Sequence, residues 1–330
     1  MEFRNLGGAG VKVSPLCLGT MMFGEWGNRD HDECVRIIHR ALDAGINFID
    51  TANLYSKGES EVIVGKALKE RREDAVLATK VFFPMGDGPN RKGLSRKAIH
   101  EQVEHSLRRL QTDSIDLYQI HRPDRTVAWE ETLRALDDLV RQGKVRYLGC
   151  STNHHEVNGD APLSAWEIVE TLWISERHGW ERFVCLQPPY SILRRTMEVS
   201  HFPMTLRHGI ASIVWSPLEG GWLTGKYRKG QGNPGDSPRA ANWVGDLEQE
   251  RFERRLDVVE ELVALAGDLG VPLAELALAW TLRHPAVTST IIGPRTMEQL
   301  ESCLRAAELD LDDEVLKRID RLVPPGESVL

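Results

Sequence analysis

Asp50, Tyr55, Lys80 and His121 are residue types that together can place a proton on an oxygen atom. Hydride addition to a carbonyl develops negative charge on oxygen, so a proton donor must stand at that atom. A phenol suits the task once its ordinary pKa of about 10 is brought down by a neighbouring cation. Lys80 supplies such a cation, Asp50 its counter-ion, and His121 a hydrogen bond to the carbonyl oxygen. A plainer alternative stands beside this one: Asp50 and Lys80 form a buried ion pair without a chemical role, and His121 is a satisfied histidine at a loop.

For these side chains to meet, distant positions must come to one place. Short apolar runs alternate with longer amphipathic stretches along nearly the whole chain, the pattern of βα units around a parallel sheet. The runs predict strands at 15–19, 46–50, 75–81, 115–121, 145–151, 183–187, 210–215 and 287–292, and the amphipathic stretches predict helices at 31–43, 95–110, 129–141, 164–177 and 252–267, with a last one from Thr296. Ser95 stands at an N-cap position, and Gly45, Gly143, Gly209 and Gly270 follow helical runs as stops. The expected α/β fold is a (β/α)8 TIM barrel formed by residues 1–330 as a single domain.

Two additions to the barrel are expected. The first thirteen residues, with Gly7-Gly8 between short runs, read as an N-terminal β-hairpin able to plug the barrel floor. A long loop rich in Gly, Pro and Asn, from Glu219 to about residue 250, separates strands 7 and 8 and has the length of a functional lid.

In such a barrel the working side chains sit where strands end and βα loops begin. Asp50, Lys80, His121, Ser151, Gln187 and the pair Trp215-Ser216 all lie at strand ends, polar groups or an indole terminating apolar runs, and Tyr55 lies on the loop after the second strand. Trp26, Phe82, Phe83, Trp222 and Trp243 fall on rim loops and predict an aromatic-walled pocket.

The composition removes other classes. The chain has 330 residues, 41% hydrophobic and 27% charged, which excludes wholesale disorder, collagen and coiled coil. A net charge of −8 without a basic block argues against a nucleic-acid partner. No run approaches the roughly 18 apolar residues of a membrane span, and the polar start carries no apolar core of a signal peptide, so a cytoplasmic location is expected. Five scattered cysteines without a C-x-x-C pair support neither a disulfide framework nor a zinc site, and no metal is expected. Nothing marks a self-complementary surface, so a homo-oligomer is possible but not indicated.

Three patterns are set aside. Residues 220–226 nearly spell a phosphate-binding P-loop, but Tyr227 stands where a Ser or Thr would bind magnesium. His154-His155-Glu156 reads as a surface loop, because adjacent side chains on an extended segment face opposite ways. Trp166, Trp173 and Trp180, seven apart, read as a helical packing stripe.

Several motifs carry a family resemblance. They are Val13-Ser14-Pro15-Leu16-Cys17-Leu18-Gly19-Thr20-Met21, Gly45-Ile46-Asn47-Phe48-Ile49-Asp50-Thr51-Ala52 through Tyr55 to Gly58-Glu59-Ser60-Glu61, Leu77-Ala78-Thr79-Lys80, Asp116-Leu117-Tyr118 to His121, and Trp215-Ser216-Pro217-Leu218 followed by Leu223-Thr224-Gly225-Lys226. With these the chain resembles the aldo-keto reductases over nearly its whole length. The resemblance implies a tetrad of Asp50, Tyr55, Lys80 and His121 with Tyr55 as general acid, and an NADPH-dependent reduction of an aldehyde, ketone or keto sugar.

It also implies a cofactor bound across the barrel rim without a Rossmann domain. Gly19, Thr20 and Met21 would line the first loop, Ser151 and Gln187 would hold the nicotinamide carboxamide, and Trp215 would stack on the ring. Ser216, Leu218, Leu223 and Lys226 would wrap the pyrophosphate, with Arg239 as a clamp, and Gly293, Arg295 and Gln299 would meet the adenosine end. The Arg295 guanidinium suits a 2′-phosphate and favours NADPH. Ser151-Thr152 departs from the family's frequent Ser-Asn, which leaves one carboxamide contact shorter, rotated or replaced by Asn153, and Cys303 stands where the family has an Asn near the adenine. The alternative the resemblance leaves is a cofactor-binding accessory subunit of a membrane channel; the lack of a long N-terminal extension favours the enzyme.

Overall fold

A two-stranded antiparallel hairpin, β1 (Arg4–Asn5) and β2 (Lys12–Val13), precedes the main sheet. The structure, a computed structural model, describes residues 1–153, 161–231 and 252–329. Arg239, Trp243 and His154-His155-Glu156 lie outside the described residues. Parallel strands β3 (Leu16–Gly19), β4 (Phe48–Asp50), β5 (Val76–Val81), β6 (Ile115–Ile120), β7 (Val145–Ser151), β8 (Phe183–Gln187), β9 (Ala211–Val214) and β10 (Val287–Ile292) close into a barrel in chain order, β10 pairing β3. The predicted (β/α)8 barrel and its hairpin are therefore both present.

The strands are apolar on both faces because each side is covered. Phe48, Val76, Ala78, Leu117, Cys185 and Ile213 face inward, and they meet Leu6 and Val13 of the hairpin. Both hairpin residues are completely buried, and Gly8 N donates to Gly209 O at 2.8 Å, so the hairpin closes the barrel floor. Outward-facing Ile49, Leu77 and Tyr118 pack under the helices.

The helices are α1 (His31–Asp43), α2 (Glu59–Leu68), α3 (Arg96–Leu110), α4 (Trp129–Arg141), α5 (Ala165–His178), α6 (His201–His208), α7 (Glu253–Asp268), α8 (Leu273–Arg283), α9 (Met297–Ala306) and α10 (Asp313–Leu322). Ser95 accepts from Ala98 N as the α3 N-cap, as expected. The helix expected from Thr296 is two helices, because Asp312 accepts from Val315 N and starts α10 afresh. Also beyond the predicted set, α2 and α8 bury most of their surface and lack an amphipathic stripe, and α6 is only eight residues long. Among the described residues no single helix is long and apolar enough to cross a membrane.

The tryptophan stripe is corrected. Trp180 is partly buried against the core, but Trp166 and Trp173 are 68% and 70% exposed, because α5 turns Ile168, Thr171, Leu172 and Ser175 inward instead. All five cysteines are free and buried.

Candidate active site

Side chains alternate in direction along a strand, and in this barrel Phe48, Ala78, Leu117 and Cys185 point inward. The residue two further on shares that direction. Asp50, Lys80, Gln119 and Gln187 are therefore delivered to one layer at the C-terminal end of the barrel, and all four are buried.

Lys80 is the hub of this layer. Its Nζ donates to Asp50 Oδ1 in a close ion pair, to Thr51 O at 2.8 Å and to Tyr55 Oη at 3.2 Å. An ammonium has three protons, so all are committed. Tyr55 accepts from Lys80, and its own proton is left for another partner. The second Asp50 oxygen, Oδ2, accepts from Gln187 Nε2 at 2.9 Å and Gln119 Nε2 at 3.1 Å.

Burial would lower the Lys80 ammonium, but Asp50 and then Tyr55 hold its pKa above the ordinary value, so Lys80 is charged. For Tyr55 the expectation of a lowered pKa is overturned. Burial pushes the phenol up and outweighs the pull of Lys80, because the environment that excludes water from Lys80 also strips solvation from a phenolate, and Asp50 adds its own charge. Burial, with Lys80 and Arg122 beside it, holds His121 well below the usual imidazole value, so the ring is neutral at pH 7.

The His121 ring stands edge-on to Tyr55, centroids 5.8 Å apart, and edge-on to Phe83 at 4.9 Å. Its Nδ1 is buried without a protein partner. Trp26 tilts over the other side of Tyr55 at 6.2 Å. Of the aromatic residues expected around the pocket, Trp26, Phe82 and Phe83 gather here. Trp222 is instead buried against Tyr227 and Phe252 and belongs to the core.

Tyr55 begins a tight turn. Ser56, Lys57 and Gly58 have φ of 47°, 56° and 96°, three successive left-handed residues ahead of α2. For the two non-glycines this conformation costs roughly 1–2 kcal/mol each. Side-chain bonds offset it: Ser56 Oγ donates to Phe23 O at 3.0 Å and accepts from Trp26 N at 3.2 Å. Ser60 Oγ donates to Thr20 O at 2.8 Å, which makes the buried Thr20 a tie between the first two rim loops.

Among the described residues, those assigned to a dinucleotide lie along the rest of the rim, apart from Leu223. Ser151 Oγ donates to Gln187 O at 2.9 Å and keeps lone pairs free to accept. Thr152 turns its hydroxyl to Leu163 O at 2.9 Å, whereas Asn153 is buried with Nδ2 unpartnered. An amide acceptor fits that orphan donor, so Ser151 and Asn153 together match a carboxamide. The Gln187 amide nitrogen is held by Asp50 and Gln119, at 3.2 Å from the latter's Oε1. Trp215 is pinned after β9, its Nε1 donating to Thr152 O at 3.3 Å.

Beyond it Ser216, Glu219, Gly220 and Gly221 all have positive φ, and an added Cβ on Gly221 would lie 2.8 Å from Lys226 Nζ. A turn of this kind beside an ammonium fits an anionic group. Leu218 is half-buried, and Leu223 is fully buried, packing its side chain in the core. Gly19 meets β10, where an added Cβ would come within 2.5 Å of Ile291 Cγ2, and Met21 is half-buried beside it. Gly293 is exposed, and Arg295 N donates to the exposed Gln299 Oε1 at 2.8 Å at the start of α9.

Gln119 was not anticipated. An uncharged polar residue at an inward position of an otherwise apolar strand is the signal that marks it. The buried Glu61 and Thr79 with the half-buried Arg109, a cluster behind Tyr55, were likewise unforeseen as a group.

Comparison with known proteins agrees with this geometry. Residues 15–324 match the Aldo/keto reductase family. The chain is 40% identical to "Uncharacterized oxidoreductase YrpG" of Bacillus subtilis, covering 99% of this chain and 97% of that protein. It is 37% identical to a "Probable voltage-gated potassium channel subunit beta" of Arabidopsis thaliana, covering 98% and 97%. It is 34% identical to "Versiconal hemiacetal acetate reductase" of Aspergillus parasiticus, covering 99% and 100%. With the closed barrel and the converging rim side chains, these matches mean that the chain belongs to the aldo/keto reductase family of oxidoreductases.

Proposed function

We propose that this protein reduces the carbonyl group of an aldehyde, ketone or keto sugar to an alcohol, with NADPH as reductant and Tyr55 as general acid. The observation that carries the reading is the full commitment of the Lys80 protons, which makes Tyr55 an acceptor toward Lys80 and leaves its own proton for another partner. The bound nicotinamide supplies the hydride. Tyr55 gives its proton to the substrate oxygen, and Lys80, held by Asp50, stabilises the phenolate that remains. Neutral His121 donates a hydrogen bond that polarises the carbonyl. Ser151 and Asn153, with Gln187 beside them, orient the carboxamide, and Trp215 offers its indole face to the ring.

Ser216, Leu218 and Lys226 hold the pyrophosphate, with Leu223 anchoring their turn from the core and Arg239 as a further clamp. Arg295 meets the 2′-phosphate, with Gly293 and Gln299 at the adenosine end and Gly19, Thr20 and Met21 along the first loop. The test is oxidation of NADPH, followed by the absorbance of reduced nicotinamide, against a panel of aldehydes, ketones and keto sugars. Turnover above the enzyme-free blank is expected.

The similarity to a relative named as a channel subunit favours a second reading, a cofactor-bound accessory subunit with slow turnover. Tight NADPH binding with no turnover across the whole panel selects it over the enzyme.

A further inference from the structure

Directly behind the Tyr55 turn lies an ion pair between a buried carboxylate and a half-buried guanidinium that touches neither the mouth of the barrel nor the dinucleotide rim. Glu61, on the first turns of α2, is completely buried. Its Oε2 accepts from Arg109 Nε of α3 at 2.7 Å, and its Oε1 accepts from Thr79 Oγ1 at 2.6 Å. Thr79 precedes Lys80 on β5 and points to the opposite face of the strand. One carboxylate therefore ties the helix that follows Tyr55 to the strand that carries Lys80.

The second half of the brace is steric. The Arg109 side chain runs along Gly58, the last left-handed residue of the turn, and a Cβ there would lie 2.8 Å from Arg109 Cδ and 2.9 Å from Nε. The turn is thus backed by a guanidinium that Glu61 fixes in place. A buried carboxylate needs its cation, and here the same cation props the backbone of the catalytic loop.

We infer that the Glu61–Arg109 pair is a positioning device for Tyr55, holding the Ser56–Gly58 turn from behind and setting the distance between the phenol and Lys80. The inference rests on reading Tyr55 as the proton donor. Glu61→Gln is the mildest disruption, since a glutamine oxygen still accepts from Thr79 while the charge opposite Arg109 is lost.

The test compares kcat against pH, NADPH affinity by fluorescence titration, and hydrogen exchange of the ligand-free peptide spanning residues 54–60 in Glu61→Gln, Arg109→Lys and Tyr55→Phe. Misplacing a reacting group by a fraction of an ångström lowers rates steeply, so kcat in Glu61→Gln should fall about tenfold or more. Its alkaline limb should be displaced, its turn peptide should exchange faster, and its NADPH affinity should be kept. Arg109→Lys retains the charge but not the guanidinium that lies along Gly58, so it should lose a smaller part of the rate, about threefold, with its limb displaced in the same direction; if Glu61→Gln does not fold, that loss supports the brace. An unchanged kcat and pH limb in folded Glu61→Gln, or in Arg109→Lys where that is the only folded variant, overturns it. Tyr55→Phe separates the two claims: near-normal reduction in that variant removes the reading of Tyr55 itself, whereas its inactivity alongside a normal Glu61→Gln removes only the brace.

Discussion

Lys80 donates to the phenolic oxygen of Tyr55 at 3.2 Å, and Tyr55 has no competing claim from Lys80 on its own proton. On the proposed reading, the direction of that one hydrogen bond divides the labour: the ammonium would stabilise charge, and the phenol would transfer the proton.

Tyr55→Phe removes the transferable proton and little else. NADPH binding should stay within about twofold, while carbonyl reduction falls by roughly 10²–10⁴, the usual contribution of a positioned acid. Stopped-flow binding and steady-state turnover measure the two quantities separately, and near-full turnover would refute Tyr55 as the donor.

The raised phenol pKa fixes the sign of a pH effect. A group whose pKa lies above its ordinary value stays protonated to higher pH, so in the ligand-free protein Tyr55 should remain a phenol through and beyond the ordinary range near about 10. Ultraviolet difference titration of the protein against Tyr55→Phe reads this directly. A phenolate appearing below that range would show that Lys80 outweighs burial after all.

The two members of the buried pair should not be equivalent. Asp50→Ala leaves the Lys80 ammonium with only the neutral acceptors Thr51 O and Tyr55 Oη, and should cost about 3–5 kcal/mol of stability. Lys80→Met leaves Asp50 with two amide donors, Gln119 and Gln187, and should cost less. Denaturant unfolding of both variants checks the order; the reverse order would mean that the amides do not stabilise the carboxylate.

At the far end of the rim, Arg295→Ala should weaken NADPH by about tenfold to a hundredfold, the loss of roughly 1.5–3 kcal/mol for a hydrogen bond to a charged group. NADH, lacking the 2′-phosphate, should be little affected. Equal losses for both cofactors in a binding titration would remove the phosphate role from Arg295.

Much of this architecture was legible in the chain. Strand and helix spacing gave the barrel, because covered parallel strands read as continuous apolar runs and their ends carry polar groups. The strands at 145–151, 183–187 and 287–292 coincide with β7, β8 and β10. Asp50, Lys80 and Tyr55 do converge, and the motifs that pointed to them are local in sequence. Other features depend on long-range environment. The rise in the Tyr55 pKa is the sum of burial and two opposed charges that no spacing discloses. Glu61 and Arg109, 48 positions apart, meet only because α2 and α3 pack side by side. Trp166 and Trp173 share a helix face, but their spacing does not say which way that face turns.

The hairpin seated on Leu6 and Val13 seals one end of the barrel. On the proposed reading, substrate then reaches Tyr55 from the opposite end, and the proton that Tyr55 gives up would be replenished from the side on which the alcohol departs. A change to the first thirteen residues would uncover Phe48, Val76 and Leu117 at the barrel floor and loosen the packing beneath the Asp50–Lys80 pair, without touching any group proposed to meet substrate.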